Sequence, residues 1–237
     1  MDISEIISDA LVYPLQNIKA LAIFIILGII AGIAGFATIA GVATGTAIKN
    51  SLFTGATAII GLFVFIILLL LINGYTLDIV KYGINRRADG PGIDFGRQIS
   101  NAVYLIIIGV VYYIVPAIIS WLLLTLLGRG ILTILIVFIL CVIFALAEVM
   151  AKCRLAKTDS LTDGLAIGEA IGDISRVGIG RLIATIVILF VILFVVFFIA
   201  AFIMRYNDIV GGILFGILSV YAVFFANRAI GLLYSDV

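Results

Sequence analysis

The sequence predicts an all-α integral membrane protein that crosses the bilayer six times. Hydrophobic residues make up 65% of the 237 residues, charged residues make up only 11%, and the mean hydropathy is +1.40. Soluble globular domains do not have such values. Six stretches of 18 residues or more also lack Asp, Glu, Lys and Arg, and one transmembrane helix needs about 20 apolar residues.

The six uncharged stretches place the transmembrane spans in order along the chain. Each span is expected to be helical, because a lipid-exposed strand would leave backbone groups without hydrogen-bond partners. The turns between spans are too small to be further domains, so residues 1–237 are predicted to form a single transmembrane domain. The stretches are residues 20–48, 50–77, 98–128, 130–147, 182–204 and 209–227.

The basic residues predict that both termini lie in the cytoplasm. Of the 14 Lys and Arg residues, 11 fall in the two terminal segments and in the second and fourth loops. Lys49, Arg129 and Arg205 fall one in each of the other turns. Because basic loops remain on the cytoplasmic side, we expect a multi-pass protein of the plasma membrane with cytoplasmic N- and C-termini.

Acidic residues collect on the same predicted cytoplasmic side as the basic ones. Of the 13 acidic residues, 12 lie there, and Asp208 is the exception. The local charge is therefore close to neutral, and a polybasic surface for anionic lipid or nucleic acid is not expected. No nucleic-acid partner is predicted.

Three cytoplasmic segments have the pattern of amphipathic helices. In residues 3–11 and 167–177, apolar residues recur on one helical face and charged residues on the other, and residues 95–103 have a shorter version. Such helices either lie in the lipid headgroup layer or pack beneath the bundle and bridge its parts. Both interpretations are open from the sequence.

The spacing of these segments predicts a pseudo-threefold repeat. The entries into the first, third and fifth spans, at Lys19, Asn101 and Arg181, are separated by 82 and 80 residues. Each predicted unit is a cytoplasmic amphipathic helix followed by a transmembrane hairpin. The units are residues 1–82, 83–155 and 156–237.

Paired glycines in the spans predict where helices pack closely. Two glycines four residues apart let the backbones of neighbouring helices approach each other. The contact is either within one chain or, as an alternative, across a homodimer face. The three pairs are Gly28 with Gly32, Gly41 with Gly45, and Gly212 with Gly216.

A proline in the third span gives a first candidate site. Pro116 removes one helical hydrogen bond and is expected to kink the helix. Tyr112, Tyr113 and Ser120 flank it and are candidates to line a central cavity or to contact a substrate. The alternative is a kink that merely fits the helix into the bundle.

The charged segment after the fourth span gives a second candidate site. Glu148 and Lys152 follow the uncharged stretch and are four residues apart, a spacing that favours an ion pair on one helix. Asn227 and Arg228 hold the equivalent position after the sixth span. These four residues are candidates for a cytoplasmic vestibule. The alternative is a helix exit at which basic side chains reach water.

The chemistry of the sequence argues against an enzyme. The chain has no His, the most common general base and metal ligand. Cys141 and Cys153 are twelve helical residues apart, about 18 Å, too far for a disulfide or a shared metal. No phosphate-binding or dinucleotide-binding glycine motif occurs. No catalytic residue, metal or cofactor is expected.

Four segments carry a resemblance to a known family: ALVYPLQNIKAL, INGYTLDIVKYGI, DGPGIDFGRQI and ANRAIGLLY. The chain resembles the archaeal DUF4013 membrane proteins over essentially its whole length, and it is distantly similar to YciC-like and glycerophosphodiesterase membrane-domain proteins. The resemblance implies an archaeal six-span protein of the plasma membrane with uncharacterised function.

Two functional hypotheses follow from the sequence. The first is a non-enzymatic helix bundle that binds membrane lipid, a membrane-protein partner or a second copy of the chain. The alternative is a transporter or channel for a small neutral or hydrophobic solute. No charged residue lies at mid-membrane depth, which argues against ion-coupled transport and favours the first hypothesis.

Overall fold

The part of the chain that the structure describes folds into nine α-helices and a short 3-10 turn. A computed structural model describes the backbone of residues 1–237 and every side chain except those of Asp208 and Ile209, and no strand occurs in the described part. The side chain of Asp208, which the sequence assigned to the outer side, is outside the described residues. The helices are α1 Ile3–Gln16, α2 Ile18–Ala47, α3 Ser51–Ile84, α4 Phe95–Leu126, α5 Ile131–Thr158, α6 Leu161–Gly164, α7 Ile167–Val177, α8 Ile179–Met204 and α9 Asp208–Leu233, followed by the 3-10 turn Tyr234–Asp236.

Within the described residues, six helices are long and apolar enough to cross a membrane, which confirms the predicted number of spans. They are α2, α3, α4, α5, α8 and α9, and they contain 26 to 34 residues each. At 1.5 Å per residue these helices measure roughly 39 to 51 Å, more than the hydrocarbon core of about 30 Å. The spanning helices therefore extend beyond the hydrocarbon core.

Short polar side chains begin several of these helices. Asp2, Asn50, Asp94 and Asn207 each accept a hydrogen bond from a backbone N–H group of the first helical turn. These bonds satisfy donors that a helix start leaves without partners. The positions of α1, α3, α4 and α9 along the chain therefore have a local cause in the sequence.

Consecutive spans pack against each other in pairs, and α3 and α9 join the pairs. The contacts link α2 with α3, α4 with α5, and α8 with α9. α3 also packs against α4 and α9, α1 packs against α9, and α7 packs against α5. We call the end of the bundle that contains α1, α6, α7 and the 3-10 turn the polar end.

The buried core lies towards the polar end. One cluster joins residues of α1, α3, α4, α5, α7, α8 and α9, among them Ile6, Met150 and Ala229. A second cluster contains Phe24 and Tyr75, whose rings stack with centroids 4.2 Å apart. Away from this end the helices expose large apolar side chains, as expected of a surface that contacts lipid.

The segment at residues 95–103 does not form the separate amphipathic helix that the sequence predicted. It forms the first turns of α4, because Asp94 caps the helix and no break separates these residues from the span. In contrast, Asn17 separates α1 from α2, and Gly178, with a φ of 92°, separates α7 from α8. The three predicted units thus begin differently, and the pseudo-threefold repeat stays a prediction.

Only one of the three predicted glycine pairs forms a tight contact. A Cβ atom on Gly41 or Gly45 would overlap side chains of α3. The other pairs do not pack tightly because α2 and α9 leave a groove of about 790 Å³ between them and α3. A homodimer contact through this groove stays a prediction. The groove contains Gly28, Gly32, Gly212 and Gly216.

A backbone-to-backbone helix crossing uses two glycines outside those pairs. A Cβ atom on Gly83 of α3 would lie 2.9 Å from the Cα atom of Gly231 on α9, and a Cβ atom on Gly231 would overlap the backbone of Val80. No side chain fits between these two backbones. α3 and α9 therefore cross at their polar ends in direct contact.

We expect Gly231→Ala to destabilise the protein by about 1–3 kcal/mol, because the added methyl group forces the two backbones apart. Thermal unfolding in detergent measures the effect. The matched control is Gly216→Ala on the same helix, where an added Cβ meets no atom within 4 Å. Equal melting temperatures for the two variants would contradict the tight crossing.

Candidate ligand-binding crevice

Most charged side chains at the polar end are paired with an opposite charge. Asp78 of α3, 5% exposed, accepts hydrogen bonds from Arg97 at 3.1 Å and from Asn101 at 3.0 Å. This pair links α3 with the start of α4. Because both charges are satisfied by each other, the pair has a structural role and offers no free group to a ligand.

Arg228 belongs to a second paired cluster and not to a vestibule. It is 1% exposed, and it donates to Asp9 at 2.7 Å and to the Arg87 carbonyl oxygen at 2.6 Å. Its guanidinium group also lies 4.5 Å from the centre of the Tyr13 ring. Burial raises the pKa of the Tyr13 hydroxyl. The cluster fastens α1 to α9.

Asp173 of α7 forms the third paired cluster. Its carboxylate accepts hydrogen bonds from Arg154 at 3.0 Å, Arg176 at 2.7 Å and the Tyr234 hydroxyl at 2.5 Å. Burial by itself raises the pKa of this carboxyl group, but the hydrogen bonds from Tyr234 and the two arginines outweigh burial and lower it. The cluster fastens α7 to α5 and to the turn after α9.

A crevice of about 580 Å³ opens between α3, α4 and α5, near the polar end. Its walls are mainly aliphatic, whereas four of its lining residues are polar or charged: Asn73, Thr76, Glu148 and Lys152. Wall residues are also exposed at the surface of the bundle, among them Ile66, Leu69 and Ile106. The crevice is therefore open sideways. The aliphatic and small wall residues are Ile66, Leu69, Leu70, Ala102, Leu105, Ile106, Ile108, Val149 and Ile230.

Lys152 is held at the polar end of the crevice by two neutral partners. Its Nζ atom donates to Thr76 Oγ1 at 2.8 Å and to Asn227 Oδ1 at 2.6 Å. An ammonium group has three donors, and these two bonds use two of them. In the described part of the chain, no carboxylate lies within ion-pair distance of Lys152. One donor remains for a ligand.

The predicted ion pair between Glu148 and Lys152 does not form. Glu148 Oε1 lies 3.8 Å from the position that a Cβ atom on Gly109 of α4 would take. Thr76 of α3 and Asn227 of α9 draw the Lys152 ammonium group away from it. Among residues 1–207 and 210–237, no basic side chain forms a salt bridge with Glu148. Two opposite charges thus line one crevice without neutralising each other.

The structure brings together three of the four predicted vestibule residues. Glu148 and Lys152 line the crevice, and Asn227 of α9 accepts a hydrogen bond from Lys152 without lining the crevice itself. Arg228 was wrongly placed in this group. Successive residues of a helix point about 100° apart, so Asn227 faces α5 while Arg228 faces α1.

The residues around Pro116 do not meet at one cavity. Tyr112 is buried and donates to the Gly164 carbonyl oxygen at 3.1 Å, whereas Tyr113 is 63% exposed. Ser120 lies 4.0 Å from the sulfur of Cys141, and Pro116 is buried. None of the four lines the crevice. The sequence prediction failed because Tyr112 and Ser120 lie against Gly164 and Cys141 of neighbouring helices, while Tyr113 is exposed at the surface.

Sequence reasoning overlooked the part of the crevice that α3 and α4 provide. Asn73 and Thr76 are three residues apart and lie on one face near the end of α3. Their polar character next to the charged segment was the available signal. The apolar wall residues of α4 gave no signal, because they do not differ from other residues of a span.

No metal site is built from the described residues. In these ranges no three side chains of the His, Cys, Asp and Glu types are grouped closely enough to hold a metal ion. What the crevice offers chemically is an ammonium donor, a carboxylate acceptor, and hydroxyl and amide groups beside an aliphatic wall. This combination can bind an amphiphilic molecule.

Six apolar helices of spanning length define this chain as a multi-pass α-helical membrane protein. It belongs to the family described as "Protein of unknown function (DUF4013)", whose model matches residues 60–204. The predicted resemblance to this family is confirmed, whereas the archaeal origin and the similarity to YciC-like proteins stay predictions. No curated protein and no solved structure matches the chain. The matched range contains every crevice-lining residue except Ile230.

We expect Asp173→Asn to lower the free energy of unfolding by about 2 kcal/mol at neutral pH, because the amide cannot replace the charge that Arg154, Arg176 and Tyr234 contact. The pKa of Asp173 is lowered in the folded protein, so its stabilisation is present above the unfolded pKa of about 3.9. This stabilisation is lost as the pH falls through the folded pKa.

Melting temperatures measured from pH 7 down to pH 3 test this expectation. The difference between the wild type and Asp173→Asn should decrease below about pH 4. Glu169→Gln is the control, because Glu169 is exposed on the same helix and also contacts Arg176. A difference that does not change with pH would contradict the role of the Asp173 charge.

Proposed function

We propose that this protein is a non-enzymatic membrane protein that binds a lipid in the crevice between α3, α4 and α5. The observation that carries the proposal is a lateral opening with an aliphatic wall and two unpaired charges at one end. A lipid has the same division into an apolar chain and a polar head. The wall would hold the chain, and Lys152 and its neighbours would contact the head.

The size and position of the crevice support a lipid ligand. Its volume of about 580 Å³ lies within the range of about 300–1,000 Å³ that small-molecule sites occupy. The exposed wall residues Ile66, Leu69 and Ile106 belong to helices of spanning length. A lipid could therefore enter from the bilayer without passing through water.

We propose a plasma-membrane topology in which the polar end faces the cytoplasm. The basic residues support it, because most of them belong to segments at this end. In this arrangement the pairs α2–α3, α4–α5 and α8–α9 are transmembrane hairpins, and α1 and α7 are amphipathic helices on the cytoplasmic face. α1 and α7 pack beneath α9 and α5, since their buried residues face these helices.

The transporter hypothesis receives less support from the geometry. It depended on a central cavity around Pro116, but Tyr112 is buried against Gly164 and Tyr113 is exposed at the surface. The crevice lies instead towards the polar end and contains none of them. A bound lipid uses the crevice as it is, whereas transport would need a second opening.

We expect Ile106→Trp to reduce the lipid that copurifies with the protein in mild detergent by several-fold. Ile106 is 54% exposed and lines the crevice, so the larger indole fills space that an acyl chain would occupy. Extraction and mass spectrometry measure the bound lipid per protein. Ile114→Trp is the matched control, because Ile114 is 51% exposed on the same helix and does not line the crevice.

The proposed lipid site is wrong if both tryptophan variants and the wild type carry the same lipid in the same amount. Loss of lipid in Ile106→Trp alone supports it. A protein that copurifies in place of lipid, and that Ile106→Trp removes, would indicate a partner-binding crevice instead. Solute flux in liposomes that Ile106→Trp blocks would support the transporter.

We expect single cysteines at positions 129 and 157 to react from opposite sides of the membrane. The background is Cys141→Ser with Cys153→Ala, and both chosen positions are exposed. In intact cells, a membrane-impermeant thiol reagent should label position 129 and should label position 157 only after lysis. Labelling of position 157 in intact cells would show that the proposed orientation is reversed.

A further inference from the structure

We infer that the crevice selects a zwitterionic lipid headgroup, one that carries both a phosphate and an ammonium group. This inference rests on the proposed lipid site and adds the chemical class of the ligand. Its basis is the unpaired Lys152 and the unpaired Glu148, which line one crevice and carry opposite charges. The phosphate would contact Lys152, and the ammonium group would contact Glu148.

The fold keeps these two charges apart. Four residues separate them on α5, about 6 Å along the helix axis. Thr76 and Asn227 draw the Lys152 ammonium group towards α3 and α9, while the Glu148 carboxylate lies beside Gly109 and near Tyr113 of α4. One small headgroup can therefore reach both charges while its acyl chain lies along the aliphatic wall.

Charge complementarity distinguishes the headgroup classes. An anionic headgroup would pair with Lys152 but would bring a second negative charge close to Glu148. A cationic headgroup would pair with Glu148 but would repel Lys152. A like charge inside an interface costs binding free energy, and sites use this cost to reject wrong ligands. A zwitterion satisfies both groups and adds no net charge to the crevice.

The competing explanation is that Lys152 only links α5 to α3 and α9. Its bonds to Thr76 and Asn227 provide such a link. Glu148 forms no salt bridge in the described part of the chain. Its side chain lies by the hydroxyl of the exposed Tyr113, from which a Gln side chain can also accept a hydrogen bond, so replacement by Gln should not weaken the fold. A structural role for Lys152 predicts lower stability in its variants, but it predicts no change of lipid preference when Glu148 is replaced.

The test measures lipid preference by native mass spectrometry. Delipidated protein is incorporated into vesicles of equal parts phosphatidylethanolamine, phosphatidylcholine and phosphatidylglycerol, and the bound lipids are identified. In the wild type, the two zwitterionic lipids should exceed the anionic one by about tenfold, because both place a positive charge next to Glu148 and the anionic lipid does not. Glu148→Gln should abolish this preference. Lys152→Gln should lose all three lipids, and Lys152→Arg should keep the preference.

Two control variants test whether charges on the protein surface, outside the crevice, affect the lipid preference. Lys157→Gln and Glu169→Gln change exposed residues outside the crevice, so both should keep the wild-type preference. Soluble phosphoethanolamine carries the same headgroup without acyl chains. It should not displace bound lipid at equal concentration, and displacement would show that the ligand is a free phosphate ester and not a lipid.

The outcomes distinguish this inference from the proposed function. If Glu148→Gln keeps the preference, or if the wild type prefers the anionic lipid, the zwitterionic headgroup is excluded while the lipid site remains. If the wild type and Ile106→Trp retain equal lipid of every class, the lipid site itself is wrong. A thermal-unfolding measurement on each variant confirms that lost lipid does not reflect lost folding.

Discussion

Gly83 on α3 and Gly231 on α9 let the two central helices cross with their backbones in contact. Thr76 precedes this crossing on α3 by two turns, and Asn227 precedes it on α9 by one. Both side chains are therefore within reach of Lys152 on α5. A wider crossing would separate these two acceptors, and Lys152 would then be free to pair with Glu148.

At the polar end, the paired charges hold helices together, whereas the unpaired charges of the crevice are available to a ligand. Arg228 and Asp173 are buried and fully engaged, and their partners fasten α1 and α7 to the bundle. Removing either partner of such a pair leaves a buried charge unsatisfied, which is costly. Glu148 and Lys152 instead line a cavity without neutralising each other. Their unused hydrogen-bonding capacity is what makes the crevice a candidate site.

The sequence predicted part of this site because charged residues that follow an uncharged span can be recognised from the sequence alone. Glu148 and Lys152 follow an uncharged stretch, and Asn227 follows another. The sequence did not reveal that Lys152 bonds to Thr76, because their contact joins residues 76 positions apart. Nor did it separate Gly41, which packs against α3, from Gly216, which lines an open groove. Both glycines belong to the same four-residue pattern.

By itself, the sequence determined the membrane class, the six spans and the helix starts at residues such as Asn50 and Asp94. Each depends on neighbouring residues only, because the cost of placing charge in lipid and the capping of a helix are local effects. Only the tertiary structure decided which glycines touch, which charges pair and where the crevice opens. These depend on distances between helices, and no local pattern contains them.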